Sequence, residues 1–179
     1  MSSQLISEQA ATWALRDSEW KLLVTLPGRV VIAATSTQAD PARRTFVEGL
    51  AGLDAIAAGR ASASPLVRDV VSAVYHEPDD RPVAEELHEG AAGTAEVLAA
   101  CRAAGRVLAT RVDRANADGY RHWLLAIATR VCHAARTGGV LGVGGAALRP
   151  AERRFLDELA AALDGRLAGP AHVPAHEGG

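Results

Sequence analysis

From Tyr120 to Arg136 the chain reads YRHWLLAIATRVCHAAR, its most apolar long stretch. Tyr120, Trp123, Leu124, Ile127, Val131 and Ala134 recur at helical spacing on one side, and Leu125, Ala128, Cys132 and Ala135 form a second, smaller apolar stripe beside it. What remains polar is a narrow strip holding His122, Ala126, Thr129 and His133. A helix apolar around so much of its circumference is buried between neighbours rather than laid on a surface. The spacing therefore predicts a central helix over 120–136 with other helices packed on several sides. Arg121, His122, Arg130 and His133 interrupt the segment, and no run of ~20 apolar residues exists to span a bilayer.

Whatever surrounds that helix must also be helical. Hydrophobic residues make up 49% of the 179 residues but aromatics only 4%, the difference being alanine, so the predicted core is one of closely approaching helices. Ala, Leu, Arg and Glu are strong helix formers, while strand-favouring residues are scarce or sit inside helical patterns. The fold class expected is all-α, a bundle of about six to eight helices in one domain spanning 1–168, followed by a disordered tail at 169–179. A chain of this length buries a core without disulfides or a structural metal. Cys101 and Cys132 fall on apolar helix faces and belong to no CxxC pair, so both are read as small hydrophobes.

Charge excludes some partners. A formal net charge of −2 gives no global field to hold nucleic acid or an anionic membrane, so neither nucleic-acid binding nor membrane insertion is expected. Arg43–Arg44 and Arg153–Arg154 are read as solvated helix faces. The single lysine, Lys21, among so many arginines suggests a GC-rich bacterial coding sequence. The start MSSQLISEQ lacks a basic then apolar leader, so cytoplasmic residence is expected.

Capping signals divide the chain. Ser7 is placed to cap a first helix to about Leu15, and Asp17 or Ser18 a second, which meets Pro27 and is expected to kink or restart there before continuing to about Ser36. Asp40 and Pro41 open a helix that Gly59 stops, and Ser64 and Pro65 open another over PLVRDVVSAVYH. HEPDDRP reads as a loop, with a short helical turn at VAEELHEG. Thr94 is placed to cap a helix to about Val112. NADG is expected to break the chain so that Asp118 caps the central helix. After the glycine-rich run TGGVLGVGGAAL, Pro150 starts the last helix.

Two helix pairs look alike. Arg29 to Ser36 (RVVIAATS) matches Arg130 to Thr137 (RVCHAART), and Pro41 to Leu53 (PARRTFVEGLAGL) matches Pro150 to Ala162 (PAERRFLDELAAA), with Trp20 and Trp123 preceding each pair. The repeat halves would span about 18–60 and 119–166 around a pseudo-twofold axis, with helices from 64–113 between them. The loop residues are Ala39-Asp40-Pro41 with Glu48 in the first half and Leu148-Arg149-Pro150-Ala151-Glu152 in the second. This unit, an apolar helix, a short loop and a Pro-opened helix rich in acids, resembles the helical TerB-like (tellurite-resistance) family, whose loop typically reads Ala-Asp-Gly. The resemblance implies a divalent-metal or membrane-complex accessory protein, with Asp40 and Glu48 as the metal positions carried over. The second half departs from it, with Thr137-Gly138-Gly139 where an acid is expected. Read from the residues alone, Asp40 is occupied as a helix cap. The loop otherwise offers only Ser36, Thr37, Gln38 and backbone carbonyls to a cation that wants six or more oxygens, so no tight metal site is expected in the first half.

Catalytic constellations are thin. Glu85 and His88 make the one Glu-x-x-His pair at i, i+3, where a di-iron bundle needs two such pairs, so with Glu86 and Glu89 they read as a solvated acidic face. His122 and His133 stand three turns apart, ~16 Å along a helix, too far to share a metal. His76 at a helix end complements the dipole. No nucleophile elbow, P-loop, HExxH or EF-hand loop occurs, and GGVLGVGG follows a helix rather than a strand, which makes it a lid or spacer instead of a dinucleotide fingerprint. No cofactor is expected. Two functions remain open: a helical binding or assembly protein, as a homo-oligomer or with a protein partner; or a small enzyme holding a small apolar ligand against the central helix, with His122 or His133 as acid or base and Arg130 as an anion clamp.

Overall fold

The computed structural model of the chain describes residues 8, 10–36, 42–76, 90–134 and 148–164, with the backbone alone at 42–46, 76 and 90–92. Among these residues the fold is all-α, with no strand. After a short helical turn at 10–12 come α1 (Asp17–Thr35), α2 (Ala42–Ala58) with a 3-10 turn at Gly59–Ala61, and α3 (Pro65–His76). The chain continues with α4 (Gly90–Arg111), α5 (Arg114–Ala134) and α6 (Pro150–Leu163). None of the helices described is long and apolar enough to cross a membrane.

The predicted central helix is central. All five other helices pack on α5, whose Tyr120, Trp123, Leu124, Ile127, Ala128, Val131 and Cys132 are buried. α1 is a second hub, touching α2, α3, α4 and α5, with Trp20, Leu23, Leu26 and Val30 fully buried between them.

Several expected boundaries are corrected. Pro27 does not restart its helix: α1 runs through it unbroken. Proline has no N–H to give the carbonyl four residues back, which orphans Leu23 O in the core. The hydroxyl of Tyr120 donates to that oxygen at 2.7 Å, and both residues are fully buried. A side chain of α5 thus supplies the hydrogen bond that the backbone of α1 lacks. NADG does not break the chain either, because α5 starts before it, at Arg114. Asp113 is the cap: its carboxylate accepts from the Asn116 backbone N–H at 3.0 Å and from the Asn116 side chain at 2.7 Å, bonds that hold its pKa below the usual carboxylate value. Asp118, the residue expected to cap, instead accepts from Arg121 at 2.9 Å inside the helix.

The other two corrections are shorter. α4 begins at Gly90, so Thr94 lies within it, since Ala91 and Ala92 are good helix formers that extend the N-terminal turn. At the head of α1 neither Asp17 nor Ser18 is the cap. Arg16 holds that position, and the Glu19 carboxylate, three residues on, accepts from its backbone N–H at 2.8 Å. Glu152 does the same for Arg149 at the head of α6, at 2.9 Å.

Ser64 caps α3 as expected, its hydroxyl 3.4 Å from the Val67 N–H and 2.7 Å from Asn116 Oδ1 of α5. Ser7, Asp40, the loop and turn at 77–89, the glycine-rich run at 137–147 and the tail at 169–179 lie outside the described residues.

Candidate functional site

The three side chains expected to carry acid–base or anion chemistry are His122, Arg130 and His133, and all three are exposed along the polar strip of α5. Nδ1 of His122 lies 2.8 Å from the Asp118 carbonyl of its own helix, a contact any exposed helical histidine can make. Arg130 and His133 are neighbours at i, i+3, but His122 stands three turns from His133, so the geometry brings no histidine pair together. Of the two positions carried over for metal, Asp40 lies outside the described residues, whereas Glu48 is buried on the inner face of α2 and engaged there. Glu85 and His88 also lie outside them. Among the described residues no group of three His, Cys, Asp or Glu side chains is placed to hold a metal ion.

Both cysteines are buried and neither forms a disulfide. Burial pushes the Cys101 thiol up to about 12 against the pull of Arg29 and Arg102, so it stays protonated and unreactive at neutral pH. Burial likewise raises the Tyr120 phenol, with Cys101 adding to the effect. These two groups are structural. The indole N–H of Trp123 donates to the Ala55 carbonyl at 3.3 Å, and that of Trp13 to the Asp69 carboxylate at 3.0 Å, tying the N-terminal turn to α3.

The unusual feature is on α2. Helices ordinarily bury their large apolar residues, but this one buries Glu48, Gly52, Ala55, Ile56 and Gly59 and turns Val47, Leu50 and Leu53 outward. The reason is space. A Cβ on Gly52 would lie 2.5 Å from a methyl of Val31 in α1 and 3.1 Å from one of Val131 in α5, and a Cβ on Gly59 would lie 2.7 Å from the Trp123 indole. Only glycine lets α2 sit that close to both neighbours. The inner face is therefore small at Gly52 and Ala55, with Glu48 and Ile56 beside them, and the leucines are left on the outer one.

Leu50 is 47% exposed and Leu53 55%, with Val47 and Tyr75 close behind. These four are the exposed large hydrophobics of the described residues, and three of them fall at i, i+3, i+6 on α2. The fourth, Tyr75, lies on α3, where Arg60, which follows α2, holds its guanidinium 4.3 Å from the ring centroid. Sequence reasoning missed this face because it ranks apolar residues by hydrophobicity. The signal lay in size, in the alternation of Gly-Ala and Leu stripes around one helix. The chain matches no protein-family model, no curated protein and no solved structure.

Proposed function

We propose that this chain is a helical binding or assembly protein, TerB-like in kind and resident in a bacterial cytoplasm, which works by presenting the outer face of α2 to a partner. One observation carries the reading: three of the four large apolar side chains left exposed among the described residues, Val47, Leu50 and Leu53, share one face of α2 instead of being scattered singly. Contiguous apolar patches rimmed by charge are what interaction sites look like, whereas single exposed leucines need no explanation. Asp54 and Arg60 supply the rim here, both exposed. The enzyme reading finds less support, since His122 and His133 stand three turns apart on an exposed strip.

The test is a photo-crosslinking residue placed at Leu53, with exposed Ser18 on α1 as control, in cells that produce the protein. A covalent adduct of defined mass at Leu53 and none at Ser18 is the expected result. Equal labelling, or no adduct at either site, would overturn the reading. Proton NMR titration of His122 and His133 checks the enzyme alternative separately, because a pair coupled to one ligand would show it as a joint shift on binding.

A further inference from the structure

The chain ahead of α1 is built as a piece of its own. We infer that residues 10–15 form a strap that undocks from α3 while the six helices stay folded, turning on a hinge at Ala14–Arg16, with the Asp69 carboxylate as its latch. This device is independent of the α2 face and of the binding-protein reading.

Three features carry it. The first is the hinge. The N-terminal turn closes on itself: the Ala14 N–H donates to the Ala11 carbonyl at 3.1 Å and the Leu15 N–H to the Ala10 carbonyl at 2.8 Å, with Ala14 at φ 52°. That pair of bonds around a left-handed residue is a complete helix stop. At the next residue α1 starts with a cap of its own, Arg16 in extended backbone with its N–H held by the Glu19 carboxylate. The two ends are capped separately, so parting them orphans none of these donors. Ala14 is also the one non-glycine at positive φ among the described residues, a strain that undocking relieves.

The second feature is how little holds the strap. Ahead of Leu15, among the described residues, Ala10 is its one buried side chain; Ala11, Thr12 and Ala14 are exposed, and Trp13 is half-buried against the core. The Thr12 hydroxyl donates back to the Glu8 carbonyl and not to another helix. One methyl group and part of one indole are a small apolar contact to set against the entropy of ordering the segment. A turn this short has no stability of its own once undocked. Segments with so few buried contacts are the ones that open ahead of global unfolding.

The third is the latch. Trp13 Nε1 donates to Asp69 Oδ2 at 3.0 Å, across 56 residues of sequence. Among the described residues this charge-assisted bond is the one side-chain hydrogen bond from the strap to another helix. Undocking breaks it and opens the Asp69 carboxylate and the apolar surface under Trp13 to water. The edge of α3 therefore exists in a covered and an uncovered form.

Native-state amide exchange of the full chain, read residue by residue by NMR, tests this. The Leu15 N–H is bonded only within the docked turn, whereas Leu124 sits at the fully buried centre of α5. Leu15 should be protected at least about a hundredfold less than Leu124, to a degree nearly independent of urea below the unfolding midpoint. Asp69→Ala should lower the Leu15 protection about tenfold further, and Trp13→Phe, which removes the donor instead, should do the same, with no added loss in the double variant. Asp69→Asn keeps an acceptor oxygen and should cost about threefold or less. Gly105→Ala, where a Cβ would meet Leu163 of α6, should lower the Leu124 protection about fivefold or more and leave that of Leu15 unchanged. Equal protection at Leu15 and Leu124, or a fall at both in Gly105→Ala, means that the strap leaves only with the whole fold and overturns the inference. No protection at Leu15 in the parent chain means that the strap never docks, and overturns it too. Leu15 protection indifferent to both Asp69→Ala and Trp13→Phe removes the latch and refutes the device.

Discussion

Replacing Tyr120 by Phe takes one oxygen atom out of the core and leaves the Leu23 carbonyl, which Pro27 already deprives of a backbone donor, with no partner at all. The site is fully buried, so water cannot substitute. Leaving a buried acceptor unsatisfied costs about 1–3 kcal/mol, against the ~1 kcal/mol that an ordinary hydrogen bond contributes net. In a domain of this size that lowers Tm by about 2–12 °C. The mechanism is checked by changing the background. Pro27→Ala restores an N–H four residues after Leu23, so in that background the carbonyl has a helical donor and Tyr120→Phe should cost about 1 kcal/mol or less. Urea denaturation of the four proteins in the cycle gives the coupling energy, expected to be about 1–2 kcal/mol. If Tyr120→Phe costs the same in both backgrounds, within ~0.3 kcal/mol, the hydroxyl is not standing in for the proline's missing proton and the account of α1 fails.

Other substitutions separate close packing from open space. Gly105 lies where a Cβ would come 2.5 Å from the Leu163 carbonyl oxygen, whereas Gly28 and Gly49 have nothing within 4 Å. Gly105→Ala should therefore destabilise by about 1–3 kcal/mol, while Gly28→Ala and Gly49→Ala should each stabilise by about 0.5–1 kcal/mol through helix propensity, all read by denaturant midpoints. The N-terminal turn ends with Ala14 at φ 52° and the Leu15 N–H bonded to the Ala10 carbonyl at 2.8 Å, a left-handed ending that favours glycine, so Ala14→Gly should stabilise by about 1 kcal/mol. Stability should also fall in alkali. The unfolded Cys101 thiol ionises from 9.0 and the folded one only near about 12. In that window the unfolded state binds fewer protons, and this thiol's share of the loss as pH rises is at most about 1.4 kcal/mol per unit, with the buried Tyr120 phenol adding to it above 10.0. Cys101→Ala should flatten that slope between those values, and an unchanged slope would show that the thiol is not what titrates.

How much of this was legible depended on whether the deciding contact was local. Caps made of neighbours in sequence, such as Ser64 before Pro65, were readable because donor and acceptor sit within a few residues. The central role of α5 was readable because apolar side chains around most of a helix leave no other option. What misled was NADG, whose turn-forming residues are overruled by the Asp113 cap just upstream, with Gly119 serving packing instead: a Cβ there would lie 2.7 Å from Ser64 Cβ. Pro27 misled for the converse reason, since the donor that lets α1 continue lies in another helix. The outward leucines of α2 could not be assigned, because which stripe faces inward depends on how closely α1 and α5 approach. The histidines illustrate the limit for the site: spacing placed them on one strip of α5, but only the packing of the other helices shows that strip to be solvent-facing.

The bond between Tyr120 and Leu23 also sets an order of events during synthesis. The donor lies 97 residues after its acceptor, so at ~5–20 residues per second α1 leaves the ribosome roughly 5–20 s before the residue that completes it exists. For that interval the helix carries an unmet carbonyl at its midpoint and a proline that discourages continuation, with only α2, α3 and α4, as each is made, to pack against. Its closure belongs late in folding, after α5 is made. Probes in α1 such as Leu26 and Val30 should then report little structure in the folding transition state, and substitutions there should speed unfolding more than they slow folding.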